Sequence, residues 1–247
     1  MGKNKALIFA AGNGTRMKHV VPKQFIKLNG LPVIFHTILK FENNNLIDEI
    51  YVVIKKGYKE SLEEYLSKYN LKKKITVLEP KKDDTGLDST YYGIIEASKN
   101  MDPDDIILIH DGVRPVISDE LINENIKVCR EKGNAISVST LFESPVEIDE
   151  DGKIKRVLER KMYRLTKAPQ TFFLKDILEA HEKIRKEFGN YTNFTDSSAI
   201  MRYLGNELNT VESSNSNIKI TEKDDVFKVL GLLDEEKYKD VFDIDIE

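Results

Sequence analysis

An apolar run that ends in a glycine-rich turn constrains this chain more than any other stretch. Leu7-Ile-Phe-Ala-Ala-Gly-Asn-Gly-Thr-Arg-Met17 reads as a buried strand entering a loop at Ala10, Ala11, Gly12, Asn13, Gly14 and Thr15. Two alanines and two glycines let the backbone bend sharply and approach a ligand, because no large side chain intervenes. Successive N–H groups in such a loop form a cradle for anions. Arg16 and Lys23, the latter in Pro22-Lys23-Gln24-Phe25, add two cations at short range. The stretch predicts a loop that holds the phosphates of a nucleotide. Neither common phosphate loop fits, however. A dinucleotide fingerprint needs glycine where Met17 stands, which disfavours an NAD-dependent oxidoreductase, and no Gly-Lys-Ser/Thr of a P-loop is present.

Downstream, apolar runs alternate with helical spacing. Leu31–Glu42 places Val33, Ile34, Ile38 and Phe41 on one helical face, and Ile47–Lys55 holds a four-residue apolar run of strand type. Lys59–Lys68 reads as a charged surface helix, Ile75–Leu78 as a short strand and Ser89–Lys99 as a helix. Asp105–His110 is the strongest buried strand, followed by a helix at Leu121–Lys132 and a strand at Ala135–Thr140. This alternation predicts an α/β fold with a doubly wound, mostly parallel, Rossmann-like sheet. Ligands on such sheets sit at the carboxyl ends of the strands, where Gly12–Arg16 and Asp111 both fall.

Glu143–Phe173 interrupts the pattern. Asp151-Gly152 marks the turn of a hairpin over Glu147–Ile154, and Arg156–Thr166 alternates polar and apolar residues as extended chain. The reading is a β-arm projecting at about residues 143–173, a dimer contact, inserted in a single domain of 247 residues. Leu174–Glu187 and Thr195–Leu204 read as helices, and Asn209–Ser213 and Ile218–Thr221 as short strands. Glu222–Leu233 reads as a last helix with Thr221 at its N-cap, and Asp243–Glu247 as a frayed acidic tail.

Composition excludes several classes. With a net charge of −4 and no basic stripe interleaved with aromatics, nucleic-acid binding is not expected. No segment approaches the ~20 apolar residues of a membrane helix. The first strand begins too early for a signal peptide, and Ala6 stands where a myristoylation motif needs Ser or Thr, so a cytoplasmic protein is expected. Cys129 is the single cysteine and reads as an idle, buried thiol. Histidines 19, 36, 110 and 181 show no ligand spacing with it, which argues against a structural zinc site.

The remaining chemistry lies in charged groups. Asp111, in His110-Asp-Gly-Val-Arg-Pro115, ends the best strand and can hold Mg²⁺ beside phosphates, or else cap the next helix. His110 reads as packed and hydrogen-bonded rather than as a base. Ser89 either caps its helix or holds a base or ribose. Arg160 and Lys219 sit in extended segments, where a lone cation is ordinarily a solvated surface charge. No nucleophile elbow or catalytic triad is present, so cations, backbone dipoles and a metal must carry the chemistry. That points to phosphoryl or nucleotidyl transfer.

Six motifs occur in one order: Ala10-Ala-Gly-x-Gly-Thr-Arg16, Pro22-Lys-Gln-Phe25, His110-Asp-x-x-Arg-Pro115, Pro169-Gln-Thr-Phe172, Phe194-Thr-Asp196 and Asn217-Ile-Lys-Ile-Thr221. Together they resemble the cytidylyltransferases that act on 2-C-methyl-D-erythritol 4-phosphate or ribitol 5-phosphate, from Lys5 to about Leu233. The resemblance implies that the glycine loop wraps the triphosphate of CTP. It gives Arg16, Lys23 and Lys219 catalytic roles at the phosphates, and has Asp111 assist Mg²⁺, with Gly112 in the nucleotide site. It assigns cytosine or ribose recognition to Ser89. Arg114, Thr195 and Asp196 are assigned to the acceptor, and Arg160 to the acceptor's phosphate from the arm of a second subunit in a homodimer.

The chain departs from that pattern in three places. The family's Gly-Gly-x-x-Arg-x-x-Ser segment reads Lys82-Asp-Asp-Thr-Gly-Leu-Asp-Ser89, which weakens the basis for strict CTP preference. Ala168 stands where a threonine usually precedes Pro-Gln, and Glu143-Ser144-Pro145 replaces an Asp-Thr pair. The last two changes fall in the acceptor pocket and remove hydroxyl donors. Val113 is closer to the ribitol phosphate enzymes. The favoured expectation is therefore CMP transfer from CTP to ribitol 5-phosphate. 2-C-methyl-D-erythritol 4-phosphate is the alternative acceptor, and a non-catalytic nucleotide-binding module the alternative class.

Overall fold

Strand β1 (Asn4–Ala10) alternates its side chains between two apolar layers, and the rest of the molecule is arranged on that alternation. Ala6 and Ile8 face one layer with Ile34, Phe35, Ile38, Leu62, Ile122 and Cys129. Leu7 faces the other with Leu87, Ile94, Phe172, Ile177, Ile184 and Ile200. These observations come from a computed structural model that describes residues 2–12, 21–80 and 86–234. Asn13, Gly14, Thr15 and Arg16, the 82–85 part of the altered segment and the acidic tail lie outside the described residues.

After a 3-10 turn at Lys23–Phe25 come the short strands β2 (Lys27–Leu28) and β3 (Leu31–Pro32) and helix α1 (Val33–Asn43). Then β4 (Glu49–Ile54), α2 (Lys59–Ser67), β5 (Lys74–Leu78), α3 (Gly86–Ser98), β6 (Ile106–Asp111), α4 (Asp119–Lys132) and β7 (Asn134–Thr140) alternate. A hairpin of β8 (Val146–Ile148) and β9 (Ile154–Val157) precedes β10 (Arg164–Phe173), α5 (Leu174–Phe188), α6 (Ser197–Tyr203), β11 (Thr210–Glu212) and α7 (Lys223–Leu233). Among the described residues, no helix is long and apolar enough to cross a membrane.

The main sheet has seven strands in the order β11-β7-β10-β6-β1-β4-β5. Strands β6, β1, β4 and β5 run parallel, as do β7 and β11, while β10 is antiparallel to both of its neighbours. The expected α/β fold with a doubly wound, mostly parallel sheet is therefore present. From β1 the chain winds outward through β4 and β5, then returns to β6 on the other side. This reversal opens a crevice at the carboxyl ends of β1 and β6. Phe9 and Asp111 stand side by side there.

Four local expectations change. The projecting part ends before residue 168, because Ala168–Phe172 are buried and Gln170–Phe172 pair with both β6 and β7. Within the arm, residues 156–166 are not continuously extended: β9 stops at Val157 and a 3-10 turn occupies Arg160–Met162. Ile218–Thr221 is no strand. Its apolar alternation comes from Ile220 packing with Val33, Val113 and Val229, anchored by the Ile220 N–H donating to the Val113 carbonyl at 2.9 Å. Finally, Glu222 rather than Thr221 caps α7, in a reciprocal capping box with Asp225.

Candidate active site

Two adjoining clefts open at the carboxyl edge of β1 and β6. The smaller, about 220 Å³, is lined by Phe9, Ala10, Gly12, Lys23, Gln24, Gly86, Asp111, Val113, Lys219 and Thr221. The larger, about 490 Å³, shares Phe9, Gly86, Asp111 and Lys219 with it. It extends past Thr90, Arg114, Lys167 and Ala168 to a wall formed by Tyr191, Thr192, Phe194, Thr195, Asp196 and Ser197.

Asp111 is the hub. As the last residue of β6 it is buried, and its Oδ2 accepts from Arg114 Nε at 2.7 Å while Oδ1 pairs with the Lys219 ammonium. Burial alone would raise this carboxyl, but the charges of Arg114 and Lys219 outweigh it and bring the pKa down to about 2. Arg114 is buried too, and its Nη1 donates to the Asn217 carbonyl at 2.9 Å. Asn217 in turn donates to the Ala168 carbonyl at 2.6 Å. These bonds fix the Asn217–Ile220 segment, so Lys219 reaches the crevice from a rigid backbone.

Lys23 lines the same smaller cleft. Its ammonium donates to the Ile220 carbonyl at 3.0 Å, and the adjacent Gln24 side chain donates to the Ala10 carbonyl at 2.7 Å. Gln24 thus ties the 3-10 turn to the end of β1. The sequence marked it as part of a motif without giving it this task.

Other expected site residues divide. Ala10 and Gly12 line the smaller cleft, whereas Ala11 packs against the apolar layer on one face of the sheet. Gly112 gives its N–H to the Phe9 carbonyl at 2.9 Å. A Cβ there would meet the Ala10 Cβ at 2.8 Å, so Gly112 permits close backbone approach and has no free amide for a ligand. Ser89 does not cap α3, which starts three residues earlier at Gly86. Its hydroxyl is buried with no hydrogen-bond partner among the described residues. Thr195 and Asp196 stand on the wall of the larger cleft, and Asp196 also caps α6 by accepting from Ala199 N–H at 3.0 Å. Arg160 is not brought to either cleft of this chain. It lies on the exposed arm and donates to the Phe142 carbonyl.

His110 is fully buried beside Phe41 and donates from Nε2 to the Arg114 carbonyl at 3.2 Å. Burial pushes its pKa down to about 4 against the opposing pull of that bond and of Asp111. It is a packed neutral ring, as expected, and not a base. The structure adds one cation that no sequence signal marked: Lys167, half-buried on the larger cleft with no hydrogen-bond or ion-pair partner among the described residues. Burial, then the nearby Arg114 charge, lowers its pKa.

Lys23, Arg114, Lys167 and Lys219 thus line these clefts against the carboxylates of Asp111 and Asp196. Surplus positive charge among the described residues and donor-rich walls suit an anionic substrate whose reaction moves charge on phosphate. Among the described residues, no three His, Cys, Asp or Glu side chains converge as a metal cage. A single carboxylate is nonetheless a usual Mg²⁺ partner when substrate phosphates supply further oxygens.

Comparison with known proteins agrees with this geometry. Residues 5–233 match the family described as IspD: 2-C-methyl-D-erythritol 4-phosphate cytidylyltransferase. A ribitol-5-phosphate cytidylyltransferase of Vibrio parahaemolyticus is 39% identical over 240 residues, covering 97% of this chain and 99% of the relative. A 2-C-methyl-D-erythritol 4-phosphate cytidylyltransferase of Clostridioides difficile is 39% identical over 236 residues, covering 95% of each. The crystal structure of 4-diphosphocytidyl-2C-methyl-D-erythritolsynthase from Anaerococcus prevotii superposes with a TM-score of 0.78 at 28% identity, covering 94% of this chain and 96% of that one. The chain belongs to this cytidylyltransferase family.

Proposed function

We propose that this cytidylyltransferase moves CMP from CTP to ribitol 5-phosphate, releasing pyrophosphate and forming CDP-ribitol. The observation that carries the reading is the convergence of Lys23 and Lys219 on the smaller cleft, which Asp111 and Gly12 also line. The triphosphate lies in that cleft and the acceptor in the larger one. An acceptor phosphate oxygen attacks the α-phosphorus as the bond to pyrophosphate breaks, and no covalent enzyme intermediate forms. Lys23 and Lys219 hold the oxygens on which negative charge grows, and the family resemblance gives Arg16, outside the described residues, the same task. Asp111 would hold Mg²⁺ together with triphosphate oxygens, and the bound ion supplies charge neutralisation there.

Lys167 supplies the larger cleft with a donor for the acceptor, where Ala168 has no hydroxyl to offer. Ser89, which lines neither cleft and whose buried hydroxyl has no hydrogen-bond partner among the described residues, would serve the nucleoside. The whole chain acts as one nucleotidyltransferase domain, and it works as a homodimer. Phe142, Ile148, Ile154, Val157 and Met162 on the arm are 60–73% exposed, an apolar set that a second copy would cover. Arg160 would then serve the acceptor phosphate of the neighbouring subunit. A second reading, with 2-C-methyl-D-erythritol 4-phosphate as acceptor, is favoured by the Clostridioides difficile relative of equal identity.

Pyrophosphate release decides between them. The protein is given Mg²⁺ and CTP, UTP, ATP or GTP, each with ribitol 5-phosphate, methylerythritol 4-phosphate or glycerol phosphate. Turnover with CTP and ribitol 5-phosphate is expected. Turnover confined to methylerythritol phosphate would move the chain to the second reading, and silence across the set would remove the catalytic one.

A further inference from the structure

The wall of the larger cleft at residues 190–196 is a loop without helix or strand, and it is held from behind. Arg185, on α5, lines neither cleft. Its guanidinium lies 5.1 Å from the centroid of the Tyr91 ring and 5.5 Å from that of Tyr191. Its Nη1 is 2.7 Å from a carboxylate oxygen of Asp88, in the first turn of α3. His181, one turn earlier on α5, stacks parallel to Tyr91 at 5.8 Å. Its Nδ1 is 2.8 Å from the Tyr191 hydroxyl and its Nε2 3.1 Å from Ser197 Oγ. Burial, then the Arg185 charge, pushes the His181 pKa down to about 3, so the neutral ring accepts from one hydroxyl and donates to the other.

The two ends of this assembly are unequally fixed. Helix α3 is bedded on the sheet through Leu87, Ile94 and Ala97, and a Cβ on Gly93 would meet Leu7 Cδ1 at 2.4 Å. The backbone hydrogen bonds of the loop are local, Thr192 N–H to the Asn190 side chain and Phe194 N–H to the Tyr191 carbonyl, while the Phe194 ring packs edge-on against Phe188 and Tyr203. Helix α3 is thus a fixed support behind the Tyr191 side of the loop, reached through Arg185 and the Tyr91–His181 stack, whereas Phe194 rests on α5 and α6.

We propose that Asp88 and Arg185, acting through Tyr91, Tyr191 and His181, are positioning residues for acceptor recognition: they hold the Tyr191–Ser197 wall where Thr195 and Asp196 meet the acceptor. The inference rests on the assignment of the larger cleft to the acceptor. Planar stacking on two rings together with a carboxylate contact is a task for arginine, and lysine would keep only the charge.

The test is Arg185→Ala in steady-state pyrophosphate release, with CTP and acceptor varied separately. A wall set loose should raise the acceptor KM about tenfold, the usual scale for losing support behind a binding group. Neither kcat nor the CTP KM should move by more than about twofold, because Lys23, Asp111 and Lys219 are untouched. Arg185→Lys should fall between, and Asp88→Asn combined with Arg185→Ala should be no worse than Arg185→Ala alone. A lowered melting temperature with both KM values unchanged would reduce Arg185 to an ordinary structural residue and overturn the proposal. So would a rise in the CTP KM alone. Amide hydrogen exchange gives a readout that needs no turnover: exchange at Thr192–Ser197 should rise in Arg185→Ala while α3 stays protected. Unchanged exchange there sinks the clamp whatever the acceptor is. Faster exchange in a protein that transfers nothing to ribitol 5-phosphate keeps the clamp and sinks the acceptor assignment.

Discussion

Strand β6 is charged at both ends. Just before it, Asp105 pairs with Lys5 at 2.7 Å, with side chains only 1% and 2% exposed. At its far end, Asp111 meets Arg114 and Lys219 beside open clefts. The first end is balanced and closed. Lys5 also donates to the Ala97 carbonyl, and Asp105 accepts from the N–H groups of Lys3 and Asp102. Burial would raise the Asp105 carboxyl, but the Lys5 bond and those two N–H groups hold it below the usual range. Among the described residues, the second end has more cations than anions, with Lys167 alongside and without an ion-pair partner. A closed, buried pair supports the fold, whereas surplus charge facing a cleft marks where an anion belongs.

The largest expected effect separates the two ends by stability. Asp105→Asn leaves the Lys5 ammonium buried without a counter-charge, at a cost of about 3–5 kcal/mol. Urea unfolding measures this, and turnover per folded molecule should stay at the wild-type value. Loss of turnover at full stability would show that the closed end also serves the reaction.

Lys219→Ala is the converse. The side chain is 39% exposed and Asp111 keeps Arg114 at 2.7 Å, so stability should change by less than about 1 kcal/mol. Turnover should fall about 10²–10³-fold, the scale for removing one preorganised donor from developing charge. Steady-state kinetics beside a melting curve checks both halves. Surviving activity would mean that Lys219 only balances Asp111.

How much of this contrast could be read from sequence depends on distance along the chain. Asp111 was legible because it ends an all-apolar run, and Lys23 because it follows a glycine loop. Lys219 became a candidate through the order of six motifs, since a lone cation between two isoleucines says little. The Arg114–Asn217 bond joins residues 103 apart, and no local pattern announces such a contact. Ile218–Thr221 looked like a strand because packing on Val113 and Val229 imposes the same alternation as a sheet face. Ala168–Phe172 looked like part of an arm because Pro169 and the register shift between Thr166 and Gln170 hide a central strand. Arg185 and Lys167 are ordinary charges until the fold puts rings, or a cleft, beside them.

The smallest effect asks whether either ion cluster responds to mild acid, and here the sign decides the answer. Asp111, held at about 2, and Asp105, held below its ordinary value, contribute stability that is complete above the unfolded carboxylate range. Their contribution is lost only as pH falls toward those folded values, so neither end should change between pH 7 and 5. The buried histidines behave oppositely. Burial holds His110 at about 4 and His181 at about 3, while the unfolded chain takes up these protons near ~6.5. Below that value the unfolded state binds protons that the native state refuses, and stability falls as pH falls. Each histidine should cost about 1.4 kcal/mol by pH 5.5. Urea unfolding at pH 7.0, 6.0 and 5.5 should show this decline, and His181→Gln should remove about half of it. A flat profile would mean that these rings reach water. A decline that His181→Gln leaves unchanged, but that Asp105→Asn removes, would place the acid sensitivity in the closed ion pair and erase the contrast between the two ends.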